Sequence, residues 1–423
     1  MGRVPRVVRN RKKRKVMGER EVLRREDYEA LDLDARVAMI RELVSLGLME
    51  VYEALDDEVL RLAGEPYERT GKHRHGRNPG SVRLAGQRIP IWVPRVRGPQ
   101  GEAPLASYAE FHRGGDLDEG LFRRVLYGIS CRNYEKAAEC VPGAIGLSSS
   151  TVSRRFVEAS AGRLREFQER DLGGLDIIVI FLDGKTFADD EMVLALGVGM
   201  DGRKHILGFV QTATENERVV RGFLRSLLDR GLDISCGVLV VIDGAKGLRS
   251  AVKKAFRDRV VVQRCQWHKR ENVVGYLAKA DQAEWRRRLQ RAYERSDYQE
   301  ARERLLEIRA ELEELNQSAA ASLAEGFEET LTLQRLGIFG VLGRSLKTTN
   351  CLESINAMAE QMCGKVDHWK NSSQKHRWFA AALLDIEPRL RKIMGYRHLP
   401  KLRDAIMREL KIESEDVVAR QVA

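Results

Sequence analysis

Two short runs place carboxylates where they could do chemistry. "DIIVIFLDGKTF" is apolar from Ile177 to Leu182 and stops on Asp183-Gly184, and "VLVVIDGAKG" is apolar from Val238 to Ile242 and stops on Asp243-Gly244. Two carboxylates that converge at strand ends repel each other, and burying them away from water is costly. A divalent cation resolves the conflict, because Mg²⁺ takes oxygen ligands, keeps several waters and binds through a few carboxylates together with substrate phosphates. A third carboxylate, Glu353, lies in "SLKTTNCLESINAMAEQM". Asp183, Asp243 and Glu353 would together hold two Mg²⁺ ions, with Mn²⁺ able to substitute, and clamp the attacking and leaving oxygens of a phosphoryl transfer. Either Asp-Gly alone is equally what an ordinary strand-to-helix turn demands. The chemistry therefore depends on which elements carry the two.

The hydrophobic pattern predicts strands at 177 to 183, 192 to 200 and 204 to 212, a helix at 216 to 230, a strand at 237 to 242, a helix at 246 to 256 and a strand at 259 to 264. That is the element order of a ribonuclease H-like α/β core, in which the first and fourth strands run side by side and parallel. Their carboxyl ends would then meet, as sites in open α/β sheets do. Residues 269 to 345 carry dense charge pairs at helical spacing and read as an all-helical insertion. After it a new helix is expected, with Thr348, Thr349 or Asn350 as its cap and Glu353 in its first or second turn.

Several further residues are candidates. Cys265-x-x-His268 in "RCQWHKRENVVGYL" has the spacing of half a zinc site, but no second pair follows, so a metal-free brace one helical turn long is expected and zinc is not. Lys185 and Lys246 stand just beyond the two Asp residues, where either phosphate contact or plain solvation fits. Trp267 could pack against the insertion or stack on a splayed base. "HWKNSSQKHRW" offers Lys370, Lys375 and Arg377 beside aromatics, which suits a nucleic-acid strand or a helix surface whose long side chains snorkel. Earlier in the chain, "NYEKAAECVPGAIGLSSSTVSRRFVEASAGRL" has a helix-turn-helix layout, with Ser148 or Ser149 as cap and Ser150, Thr151, Ser153, Arg154 and Arg155 facing outward to meet a groove.

The bulk composition agrees with a DNA partner. The chain has 423 residues, enough for two to four domains. Its 43% hydrophobic and 32% charged residues are those of a soluble globular protein. Lys+Arg exceed Asp+Glu by 11, and such an excess favours a polyanion. Six scattered cysteines argue for reduced thiols. No apolar run is long enough for a membrane span or a secretory signal, so the cytosol is the expected compartment. The expected organisation is a basic arm at 1 to 20, a helical region with a small basic hairpin at 21 to 115, the helix-turn-helix at 116 to 172, and the α/β core from 173 to 268. The insertion occupies 269 to 345, and the final helices with Glu353 and the tail follow at 346 to 423.

Five blocks, "FLDGKTF", "VIDGAKGL", "CQWHKREN", "TTNCLESIN" and "HWKNSSQKHRWFAAALLDIEPRLRKIMGYRHLPKL", occur in the order found in the bacterial Mutator-like transposases, which mobilise insertion sequences. The sequence resembles that family from "GEPYERTGKHRHGR" and "VPRVRG" to about residue 405. The resemblance implies a DDE transposase with Asp183, Asp243 and Glu353 as its metal-binding triad, and Cys265 with His268 as the family's C/D-x-x-H signature. It implies hydrolysis at the element's end followed by attack of the freed 3′-hydroxyl on target DNA. The partners would be double-stranded terminal repeats and target, the protein would act as a homodimer when pairing two ends, and it would sit with the nucleoid. The long basic N-terminus departs from the family pattern. A transposase-derived DNA-binding regulator and a stand-alone metal-dependent nuclease are the competing readings.

Overall fold

The computed structural model describes residues 33–65, 68, 71–84, 87–113, 119–127, 149–212, 216–364, 366 and 368–413. Two compact units divide the chain: Met1–Gly115 with Tyr134–Ser148, and Asp116–Asn133 with Ser149–Ala423. The basic arm, and the first helix and turn of the expected helix-turn-helix, lie outside the described residues.

The first unit holds α1 (Leu33–Ala63), the antiparallel hairpin β1 (His73–Leu84) and β2 (Gln87–Gly98), the short β3 (Gly101–Ala103) and α2 (Ala106–Arg113). Alternation in "RIPIWV" turns Ile89, Ile91 and Val93 to one side, where they pack with Val82 of β1 and with Val51, Leu55 and Val59 of α1. The opposite side carries Arg77, Pro79 and Arg83 on β1 across from Pro94, Trp92 and Arg88 on β2. Trp92 is left 58% exposed there.

The second unit opens with α3 (Glu119–Leu126) and α4 (Ser149–Glu169), then builds a five-stranded sheet. Its strands are β4 (Ile177–Phe187), β5 (Asp190–Gly199), β6 (Lys204–Thr212), β7 (Val238–Ile242) and β8 (Val260–Arg264), in the spatial order β6-β5-β4-β7-β8. The first three form an antiparallel meander, and β7 and β8 run parallel to β4. Between β6 and β7 lies α5 (Glu217–Asp229), and between β7 and β8 lies α6 (Lys246–Phe256). Their apolar stripes, Val220, Leu224 and Leu227 on α5 and Leu248 and Val252 on α6, bury against Ile180, Leu182, Val240 and Ile242 of the sheet. The first and fourth strands are thus the parallel neighbours that the pattern predicts. One expectation needs correction: β4 does not end at Asp183 but continues to Phe187, because residues 184 to 187 stay paired with β5 after β7 has left.

Every element from 266 to 346 is helical: α7 (Gln266–Val274), α8 (Gln282–Tyr293), α9 (Tyr298–Leu315), α10 (Gln317–Ala324), the single turns α11 (Phe327–Thr330) and α12 (Thr332–Arg335), and α13 (Phe339–Leu346). This segment has its own apolar core, with Trp285, Leu289, Leu305, Ile308, Leu312 and Leu323. It also covers the sheet edge. The Thr332 hydroxyl donates to Val262 O, and the Gln263 side chain accepts from Leu333 N, so the insertion is bonded along the outer rim of β8. The chain ends with α14 (Asn350–Cys363), α15 (Ser372–Ile386) and α16 (Leu399–Leu410). Among the described residues no helix is long and apolar enough to cross a membrane.

Candidate active site

The last paired rung between β4 and β7 is Leu182 with Ile242. The next residue on each strand is Asp183 on β4 and Asp243 beyond β7, so parallel pairing delivers the two carboxylates to the same point. Asp183 is only 7% exposed. Asp243 leaves the sheet through Gly244, whose φ of 111° suits glycine alone, and its Oδ1 accepts from Ala245 N at 3.0 Å. Asp243 therefore also shapes the turn into α6.

Glu353 comes from the first turn of α14, with its side chain about half exposed. His268 comes from α7, and its Nε2 stands 3.9 Å from Glu353 Oε1. His268 therefore lies beside Glu353, and its charge is felt by Asp183 as well. Cys265 is fully buried and is fixed by its own backbone, whose N–H donates to Ile242 O at 2.7 Å. That bond ties the start of α7 to the end of β7.

Thr349 closes the group, and sequence reasoning missed it. It occupies the N-cap position of α14, yet its side chain makes no capping hydrogen bond. The hydroxyl instead lies 3.8 Å from Cys265 Sγ and 3.4 Å from His268 Nδ1, in a fully buried position. Asn350, also considered as a cap, is the first residue inside the helix. The one available signal was the position of Thr349 a helical turn ahead of Glu353.

The electrostatics are those of crowded acids around one base. Burial, followed by the negative charge of Asp243, raises Asp183 to about 7, against weaker lowering by His268 and the Thr349 hydroxyl. Burial pulls His268 down, but hydrogen bonding and attraction by Cys265, then by Asp183 and Asp243, win and raise it to about 9. A protonated imidazole thus answers part of the acidic charge. Among the described residues no three His, Cys, Asp or Glu side chains are gathered closely enough to hold a metal ion. The donor set itself is oxygen-rich, and a buried carboxylate raised by its neighbour is the strain that a divalent cation relieves.

The expected DNA contacts are spread more widely. Lys185 pairs with Glu360 at 3.1 Å, and Lys246 with Glu325 at 3.8 Å. Lys375 pairs with Asp190 at 2.5 Å, while Lys370 is exposed. Arg377 donates to Ser160 Oγ at 3.1 Å, joining α15 to α4. Ser150, Ser153 and Arg154 lie exposed and Arg155 half-buried on the first turns of α4, whereas the side chain of Thr151 is outside the described residues.

The sequence matches the transposase family called Mutator over residues 17–390. The chain belongs to that family. Among curated proteins, it is 28% identical over 380 residues to the transposase of insertion sequence element IS406 from Burkholderia multivorans, covering 85% of this chain and 95% of that one. It is 26% identical over 378 residues to the transposase of element ISRM5 from Rhizobium meliloti, covering 86% and 92%. It is also 26% identical over 344 residues to the transposase of element IS256 in transposon Tn4001 from Staphylococcus aureus, covering 77% and 84%.

Proposed function

We propose that the protein is a DDE transposase that cuts DNA at the ends of an insertion sequence and joins the freed 3′-hydroxyl to target DNA, on a catalytic core of ribonuclease H-like type. The observation that carries this reading is the delivery of Asp183 and Asp243 to one point by the β4–β7 pairing, with Glu353 and His268 brought to the same cluster. An antiparallel meander followed by two parallel strands, in the order β6-β5-β4-β7-β8, supports the fold assignment. Relatives named as insertion-sequence transposases support the activity.

In this reading Asp183, Asp243 and Glu353 would hold Mg²⁺ or Mn²⁺. Two such ions, when bound, supply charge stabilisation to the attacking and leaving oxygens of an in-line displacement. In the first reaction water forms the new P–O bond while the bond to the 3′-oxygen breaks, and that oxygen leaves as a hydroxyl. In the second, the same hydroxyl forms a bond to a target phosphate and displaces the target strand's 3′-oxygen. Once ionised, Asp183 beside Asp243 would draw a cation to the site. His268 sets the position of Glu353, and Thr349 sets that of His268. No serine or tyrosine nucleophile is required. Cys265, buried and turned toward Thr349, serves as a brace and not as a zinc ligand.

DNA binding is shared, in the same reading, by the outward residues of α4 and by the outer face of β1 and β2, which carries the exposed Trp92 and, further along the strands, Arg83 and Arg88. Pairing two element ends calls for at least two copies of the chain. The test is a strand-transfer assay on end-containing duplex with Mg²⁺ or Mn²⁺. Asp243→Ala is expected to abolish cutting and joining while binding persists. Joining by that variant would sink the triad assignment, and a wild type that cuts without ever joining would make the protein a nuclease.

A further inference from the structure

Beside the carboxylate cluster, between α7, α8, α13 and the start of α14, lies a cleft of about 240 Å³. Its wall includes Trp267, Arg270, Arg344, Lys347 and Asn350. Trp267 is 38% exposed, and its ring meets His268 edge-on, with centroids 4.8 Å apart at 73°. Trp267 and His268 are consecutive on α7, and Asn350 lies one helical turn before Glu353 on α14. A group in this cleft is therefore held next to the carboxylates by the elements that carry them.

The lining names the chemistry of the occupant. An exposed indole is a stacking platform for a flat ring, and it costs little to keep ready because its edge is already fixed on His268. Three cations line it: Lys347 is paired with Glu294 at 3.3 Å and Arg270 with Glu271 at 3.0 Å, but Arg344 is exposed with no ion pair among the described residues. A rim of that sign suits phosphates on either side of the ring. Amide side chains complete the wall. Asn350 is exposed, and Gln266, almost wholly buried, is held from behind by donation from its nitrogen to Thr330 O at 2.9 Å. A cleft of this volume has room for a single flat base.

Resting on the transposase reading above, we propose that this cleft holds a single base extruded from the duplex beside the phosphate that is cut. The base stacks on Trp267, and Arg270, Arg344 and Lys347 hold the backbone on either side. Extrusion bends the strand out of the stack, which lets the scissile phosphate reach carboxylates seated at a sheet edge. Trp267 is then a positioning residue, since it acts on the reacting phosphate through the neighbouring base.

The test uses the full chain and duplexes carrying the end sequence that it cuts in the strand-transfer assay. With Asp243→Ala, which binds without cutting, 2-aminopurine is placed in turn at each position around the cut; unstacking at one position on binding, seen as a fluorescence rise there alone, is expected. A rise at none overturns the proposal. Cutting rates then separate the roles. Trp267→Ala should cut a fully paired end about tenfold more slowly, the scale of a lost base–aromatic stack, Trp267→Phe should stay near wild type, and one mismatch at the extruded position should restore Trp267→Ala. Equal slowing on paired and mismatched ends, or no slowing, defeats the proposal while leaving the triad reading intact. A wild type that cuts no end defeats the triad reading, and this one with it.

Discussion

At the scale of single residues, the carboxylate cluster is held against its own electrostatic preference. Asp183 has an ordinary value of 3.8, and burial beside Asp243 takes it to about 7. The fold therefore favours its protonated form, and the stability this contributes is complete below 3.8 and lost as the pH rises through about 7. Near pH 8, with chelator present, the ionised side chain is a burden of a few kcal/mol at most, at about 1.4 kcal/mol per pKa unit. Asp183→Asn is accordingly expected to melt higher than wild type near pH 8, with the gap narrowing toward about pH 5. Mg²⁺ should raise the wild-type melting temperature and leave the variant unmoved. A variant that melts lower than wild type at both pH values would show that the carboxylate is satisfied as it stands. The two Asp residues were legible because each ends an apolar run. Thr349 was not, since a threonine before a helix reads as a cap until its hydroxyl is seen turned toward Cys265 and His268.

At the scale of elements, the signature pair is positioned by the junction between β8 and the helical segment. Arg264, the last residue of β8 and 3% exposed, donates to Glu329 Oε2 at 3.1 Å and to Glu325 O at 3.3 Å. Glu329 also takes Arg249 of α6 at 2.6 Å, so one acid links a sheet strand, a sheet-covering helix and the insertion. Gly326, at a φ of 62°, lies against the Arg264 guanidinium, and a Cβ there would collide with it. Arg264→Met breaks a buried pair and is expected to cost about 3 kcal/mol. It should also open the 269–345 segment to protease and reduce cutting, because Cys265 and His268 follow it directly. Gly326→Ala, which displaces the same guanidinium, should reproduce the protease sensitivity. Unchanged protease resistance in both variants would show that Arg264 does not anchor the segment. Element types and order were written in the periodicity of "IIVIFL", "VLVVI" and "VVVQRC". The extension of β4 past Asp183 was not, because it depends on pairing with β5, and neither was the cleft beside Trp267, which exists only where α7, α8, α13 and α14 meet.

At the scale of the whole molecule, the excess of 11 positive charges has to be turned into geometry. Lys185 and Lys246, which follow the proposed triad Asp residues, and Lys375 are already answered by acids, Glu360, Glu325 and Asp190. A strand of DNA would have to displace those partners. On the β1–β2 hairpin Arg77 is paired with Asp56 at 3.4 Å, but Arg88 has no ion pair among the described residues and donates to the neutral Ser81 hydroxyl at 2.8 Å, and Trp92 is exposed to pack on a sugar or base. Affinity that comes from phosphate contacts falls with salt, with a slope set by the number of phosphates neutralised. Arg88→Ala should therefore weaken binding to end-containing and unrelated duplex alike and lower the salt slope by about one. Trp92→Ala, which removes no charge, should weaken binding and leave the slope where it was. Measuring both variants across a salt series separates these contributions. If Arg88→Ala leaves affinity and slope unchanged, the hairpin is a structural module, and the positive charge that binds DNA lies elsewhere in the chain.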